Sequence, residues 1–214
     1  MLSAIASAIG KMDERRTNGG TKIVLTASRI EMSDFFLNPF IAFTGGFPSK
    51  IIPRGVLRKK WYPITPSDEN GRARFAPYGL RKIEALLEEE FGEENVVTCT
   101  PENLHRFVGL KTKVVGISTM DPLGIGFVSR TYTSLVGFGG EPIAADEFRC
   151  LMEHPALRRR NGFKVIVGGS GAWQIIRGGM QENFGIDSVV IGEGERAVAG
   201  LFKMAVEGRE LPKV

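Results

Sequence analysis

Five short apolar runs punctuate the chain: residues 22–26 (KIVLT), 95–98 (NVVT), 113–118 (KVVGIS), 164–168 (KVIVG) and 188–191 (SVVI). Each is rich in Val or Ile, each is bounded by turn or cap residues, and none alternates polar with apolar. Continuous apolar runs of this length mark strands covered on both faces, as in a parallel sheet. Helical periodicity fills the gaps. Residues 77–91 place Leu80, Ile83, Leu86, Leu87 and Phe91 on one stripe, with Pro77 at the start and Gly92 as a stop. Residues 144–153 carry Phe148, Leu151 and Met152, and residues 195–207 carry Val198, Leu201, Phe202 and Ala205 ahead of Gly208. Strands that alternate with helices predict βαβ units joined by right-handed crossovers. The expected fold is α/β: a doubly wound, Rossmann/flavodoxin-like, five-stranded parallel sheet in the order 2-1-3-4-5.

Two stretches stand outside this alternation. Residues 1–17 read as an amphipathic helix with Leu2, Ile5, Ile9 and Met12 on one face, ended by Asn18-Gly19-Gly20. They lack the basic start of a secretion signal, which leaves the cytoplasm as the expected compartment. Residues 29–76 are far too long for an ordinary connection between elements. They hold five prolines and the aromatics Phe35, Phe36, Phe40, Phe43, Phe47, Trp61 and Tyr62. That aromatic content argues against disorder, so the stretch is expected to be an ordered insertion over the carboxyl edge of the sheet or against a partner. The domain plan is a helical extension over 1–20 and one α/β domain over 21–210 that contains the insertion.

Composition narrows the field a little further. Hydrophobic residues make up 43% and charged residues 24% of 214 residues, and no apolar run nears the ~20 residues a spanning helix needs. No membrane partner is therefore expected. The net charge of +4 is uneven, with ten Lys/Arg against four Asp/Glu in residues 1–60. Arg54, Arg58, Lys59 and Lys60 are its densest point, read as a solvated loop, a phosphate contact or a contact to an acidic partner surface. No nucleic-acid motif accompanies them, which argues against a nucleic-acid partner. Cys99 and Cys150 belong to no CxxC pair and are expected to be reduced and buried.

In a doubly wound sheet, ligands bind outside the carboxyl ends of the strands. Three of these ends are rich in small residues: Ser118-Thr119-Met120-Asp121-Pro122, Gly168-Gly169-Ser170-Gly171 and Gly192-Glu193-Gly194-Glu195. Glycine lets a flat ligand approach the backbone, and the hydroxyls of Ser118, Thr119 and Ser170 can donate and accept. Each turn alone reads as an ordinary strand-to-helix turn. The three in succession describe a crevice floored by backbone and hydroxyls with no acid–base pair, which points to binding rather than catalysis.

This set resembles a known family. VVGIST, VIVGGSGAW and SVVIGEGE followed by an amphipathic helix look like the cobalamin-binding domain at the N-terminus of many radical SAM enzymes, and TSLVGFGGEP at 133–142 looks like archaeal members of that group. The resemblance spans about residues 20–210, without the insertion. It implies that Ser118, Thr119, Gly168, Gly169, Ser170, Gly192, Glu193 and Gly194 surround the corrin ring and its nucleotide tail. It further implies a radical SAM catalytic domain as partner, carrying a 4Fe-4S cluster and S-adenosylmethionine for chemistry such as methyl transfer. The chain departs from related patterns twice. The D-x-H-x-x-G motif of cobalamin mutases is absent after strand one, where residues 26–34 read TASRIEMSD, so no His ligand to cobalt is expected from this chain. His105 and His154 suit surface or capping roles. The cluster motif C-x-x-x-C-x-x-C is also absent, so the catalytic domain is expected outside this stretch and no turnover is expected from the chain alone.

Other readings of the fold divide on single residues. A phosphorylated receiver domain needs an aspartate where Ser118-Thr119 stands. A dinucleotide site needs G-x-G-x-x-G directly after a strand, and residues 124–129 (GIGFVS) lack the third glycine and that position. Flavin binding stays open. So does a non-enzymatic reading: a degenerate domain without corrinoid, acting as a docking or substrate-guiding platform, with the insertion filling the crevice or facing the partner.

Overall fold

The computed structural model describes residues 19–135, 139–160 and 162–214. The helix expected over 1–17 and the centre of the 133–142 motif lie outside the described residues. Five strands, β1 (Ile23–Ala27), β2 (Val96–Thr98), β3 (Val114–Ser118), β4 (Lys164–Gly168) and β5 (Ser188–Val189), form one sheet in the order β2-β1-β3-β4-β5. Every pairing is parallel, so the carboxyl ends share one edge. The fold is therefore the doubly wound α/β sheet that the apolar runs predict. The strands fall within one or two residues of their expected bounds.

Register explains why both faces are apolar. Side chains alternate along each strand, so Ile23 and Leu25 face one layer and Val24 faces the other. On the first side, α2 (Tyr78–Phe91) and α5 (Gly194–Val206) cover the sheet with Leu80, Leu87, Val198, Leu201 and Phe202. On the second, α3 (Ile143–Met152) and α4 (Ala172–Arg177) cover it with Phe148, Leu151, Met152 and Ile175. Gly92 ends α2 with φ +88, as its sequence position predicts. The α4 helix is short and carries no clear stripe in the sequence.

The insertion is ordered and has its own small core. It contains the helix α1 (Arg54–Lys60) and several single turns. Leu57 and Tyr62 are fully buried with Ile30 and Ile143, and Phe35, Phe47, Ile52 and Trp61 pack around them. The basic cluster corrects its sequence reading in part. Arg54 pairs with Asp146, and Arg58 grips Glu147 in two bonds of 2.9 Å. These arginines are anchors that fasten α1 to α3, while Lys59 and Lys60 stay exposed.

Candidate functional site

The two faces of the sheet differ at the carboxyl edge. The α3 side carries Val115, Ile117, Val165 and Val167 and is filled. The α2–α5 side carries Ser118 and Gly168, paired at the carboxyl ends of β3 and β4, with Gly116 one step back in the middle of β3. Small residues there leave a hollow of about 310 Å³ between the sheet and the first turns of α2 and α5. Leu25, Leu80, Ile83, Ile166, Val190, Val198 and Phe202 form apolar walls. The mouth is formed by Gly168-Gly169-Ser170, Gly192-Glu193-Gly194 and Gly79.

Seven of the eight expected site residues converge here: Ser118, Gly168, Gly169, Ser170, Gly192, Glu193 and Gly194. Thr119 does not. It is buried, and its hydroxyl turns towards Glu31, 3.5 Å away. No residue of the 29–76 insertion lines the hollow; of the two alternatives for this segment, filling the crevice or facing a partner, the first has no support in the lining.

The glycines act for different reasons. Gly169 has φ +99, and a Cβ there would lie 2.5 Å from the Thr119 carbonyl oxygen. This residue is demanded by the turn itself. Gly168 has no such constraint, and its Cβ would meet only Val190 at 3.6 Å. Gly116 lets Leu25 and Phe202 close over β3, since a Cβ would stand 2.6 and 2.8 Å from them.

Two helix N-termini meet at the mouth. Neither α2, preceded by Pro77, nor α5, preceded by Glu193, has a side-chain cap. Their first-turn N–H groups lack helical partners and favour an anion. Of the nearby acids, Glu195 is paired with Lys82, which lowers its pKa. Glu193 is exposed and stands 3.8 Å from Arg196.

A polar feature behind the turn that follows β3 is not visible in the sequence. Glu31, in the segment after β1, accepts hydrogen bonds from the Met120 N–H at 3.2 Å and from Ser28 at 3.3 Å. Burial pushes its carboxyl up to about 7, with the hydrogen bonds opposing and Asp121 adding to the rise. Only tertiary placement against the β3 turn makes this acid unusual. Cys99 is fully buried, and burial raises its thiol far out of reactive range. Cys150 is only partly buried, contrary to expectation, and borders a second, polar cavity with Arg29, Arg58, Glu147 and His154. His154 caps a turn by accepting from the Ala156 N–H at 3.2 Å, and burial lowers its pKa. His105 is exposed. The described residues contain no group of three or more His, Cys, Asp or Glu placed to hold a metal ion. No helix among them is long and apolar enough to cross a membrane.

Fold and site together define a doubly wound α/β domain with a narrow, largely apolar crevice at its carboxyl edge. Comparison with protein-family models, curated proteins and solved structures found no match.

Proposed function

We propose that this chain is a cobalamin-binding domain that serves a radical SAM enzyme, with the corrinoid's tail seated in the hollow beneath α2 and α5. The observation that carries this reading is the one-sided loss of side-chain volume at Ser118 and Gly168, which pair in register on adjacent strands. A sheet that only needed two covering layers would fill both faces, as the α3 side does. The apolar walls suit a flat heteroaromatic group, and the two uncapped helix starts suit a phosphate. Gly168, Gly169 and Ser170 on one side and Gly192 and Gly194 on the other would hold the tail. A corrinoid supplies a cobalt centre able to carry and hand over a methyl group. This chain's part is to bind and orient it and to keep water from the buried end. The described residues do not fit a 4Fe-4S cluster, since Cys99 and Cys150 lie on separate elements and no third thiol exists. The cluster and S-adenosylmethionine belong, in this reading, to a separate catalytic domain.

The test uses hydroxocobalamin. The protein is incubated with it and separated by gel filtration, and the visible spectrum of the protein peak is recorded. Corrinoid absorbance should travel with the wild type. Gly168→Val should lose at least roughly tenfold in affinity, because its side chain would occupy the hollow at a strand position that accepts β-branching. Circular dichroism should be unchanged. No retained corrinoid up to near-millimolar concentration refutes the reading. Retention of FMN in its place would make the crevice a flavin site.

A further inference from the structure

Exposed large apolar side chains are not scattered evenly over this molecule. Of fourteen, seven lie between Phe36 and Ile64. Four of these, Phe36, Leu37, Phe40 and Phe43, fall within eight consecutive residues and are 57%, 86%, 80% and 53% exposed. The backbone is bent to put the first two there. Phe35, Phe36 and Leu37 hold φ of +51, +55 and +57, a left-handed turn that L residues resist. The Ser33 hydroxyl accepts from the Phe35 N–H at 3.1 Å, and Asp34 accepts from the Phe36 N–H at 3.0 Å. Phe35 thereby packs on the insertion's core while Phe36 and Leu37 face outward. The tip stands on a fixed base, because Leu57, Tyr62 and the Arg58–Glu147 pair fasten the insertion to α3.

Charge identifies what this tip meets. Residues 35–67 contain five Lys/Arg and no Asp or Glu. Arg54 and Arg58 are occupied by Asp146 and Glu147. Lys50, Lys59 and Lys60 are exposed and make no ion pair with a described residue. Within this acid-free stretch, which Asp34 precedes, exposed aromatic and aliphatic side chains and lysines that pair with no described residue match the two requirements of an anionic lipid surface. Apolar groups enter the headgroup boundary, and lysines meet the lipid charge. A second copy of the chain would bring the same positive charge to the same patch and be repelled.

We propose that residues 35–60 form a peripheral docking surface for an anionic membrane, with Phe36, Leu37, Phe40 and Phe43 as the inserting tip. Contact of this kind needs no spanning helix. The proposal is independent of what the crevice holds.

Sedimentation with unilamellar vesicles tests it, comparing phosphatidylcholine mixed with phosphatidylglycerol against phosphatidylcholine alone. The wild type should pellet with the anionic vesicles, bind the neutral ones far more weakly, and come off as salt rises. Lys59→Gln and Lys60→Gln should each weaken binding roughly fivefold. Leu37→Asn combined with Phe40→Ser should weaken it more than roughly tenfold. All these side chains are exposed, so unchanged circular dichroism and melting temperature will certify the fold. Wild-type protein that stays in the supernatant with both vesicles overturns the proposal, as does a double variant that binds like the wild type. Absence of vesicle binding together with concentration-dependent self-association that the double variant abolishes would also overturn it, and would make the patch a protein-binding face.

Discussion

Adjacent glycines at the end of β4 should respond in opposite ways to the same substitution. Gly169→Ala puts a Cβ 2.5 Å from the Thr119 carbonyl oxygen and 2.8 Å from its nitrogen, both backbone atoms that cannot swing aside. It also forces an L residue to φ +99, which costs about 1–3 kcal/mol by itself. Relief requires β4 and the β3 turn to separate, which weakens the bonds from Thr119 N to Gly168 O and from Gly171 N to Thr119 O, each 2.9 Å. Each such bond contributes about 1 kcal/mol. The sum is a loss of roughly 3 kcal/mol, or a fall in Tm of roughly 6–12 °C for a domain this size. Gly168→Ala has ordinary backbone angles and its nearest contact at 3.6 Å. Its stability should stay within about 0.5 kcal/mol of wild type or rise slightly, because alanine restricts the unfolded chain. Urea unfolding followed by circular dichroism measures both. If Gly169→Ala unfolds within about 0.5 kcal/mol of wild type, the turn is not what holds the crevice lip in place.

The carboxyl of Glu31 is raised to about 7 in the folded chain from 4.5, so the folded state binds more protons than the unfolded one across that interval. The contribution of Glu31 to stability should therefore fall as pH rises from about 4.5 to about 7, by about 1–3 kcal/mol, with His154, whose pKa burial lowers, acting in the opposite sense up to about 6.5. Glu31→Gln should flatten this dependence in urea titrations at several pH values, and an unchanged slope would remove Glu31 as its source. Arg58→Ala would strand Glu147, whose side chain is 1% exposed, at a cost of about 3–5 kcal/mol. It should also open the insertion to limited proteolysis between residues 35 and 60, and a cleavage rate equal to wild type would refute the anchoring role.

The fold was legible because its signal is local and repeated. Val- and Ile-rich runs such as 164–168 are buried on both faces, and the stripe in α2 ends where Gly92 turns the chain. The insertion was legible as ordered but not as attached. Arg58 reads the same in sequence whether it meets water or Glu147, 89 residues away. Glu31 was invisible for a similar reason, since its unusual character comes from a turn that lies 89 residues further along. Thr119 was expected in the crevice with Ser118 because both belong to the small-residue end of β3 and to the VVGIST run that carries the resemblance. Strand alternation sends neighbouring side chains to opposite faces, and Thr119 follows that rule.

The same alternation explains why the crevice was only half visible. Strand-end glycines mark where a ligand can approach, but they look alike in sequence whether they release volume or satisfy backbone geometry. Gly169 does the second, with φ +99 and a backbone oxygen in its path. Gly168 does the first, and only the pairing of β3 with β4 sets it beside Ser118 on the unfilled face. Volume is lost where Ser118 and Gly168 share that face, while the large β-branched Val115, Ile117, Val165 and Val167 take the other. A sheet covered by helices on both sides gains by filling each layer, so a hollow kept on one side alone costs packing energy that a bound ligand would restore. Gly168 is accordingly the position at which folding and binding come apart. A small side chain there should leave stability intact, and a larger one should close the crevice without disturbing the turn that Gly169 maintains.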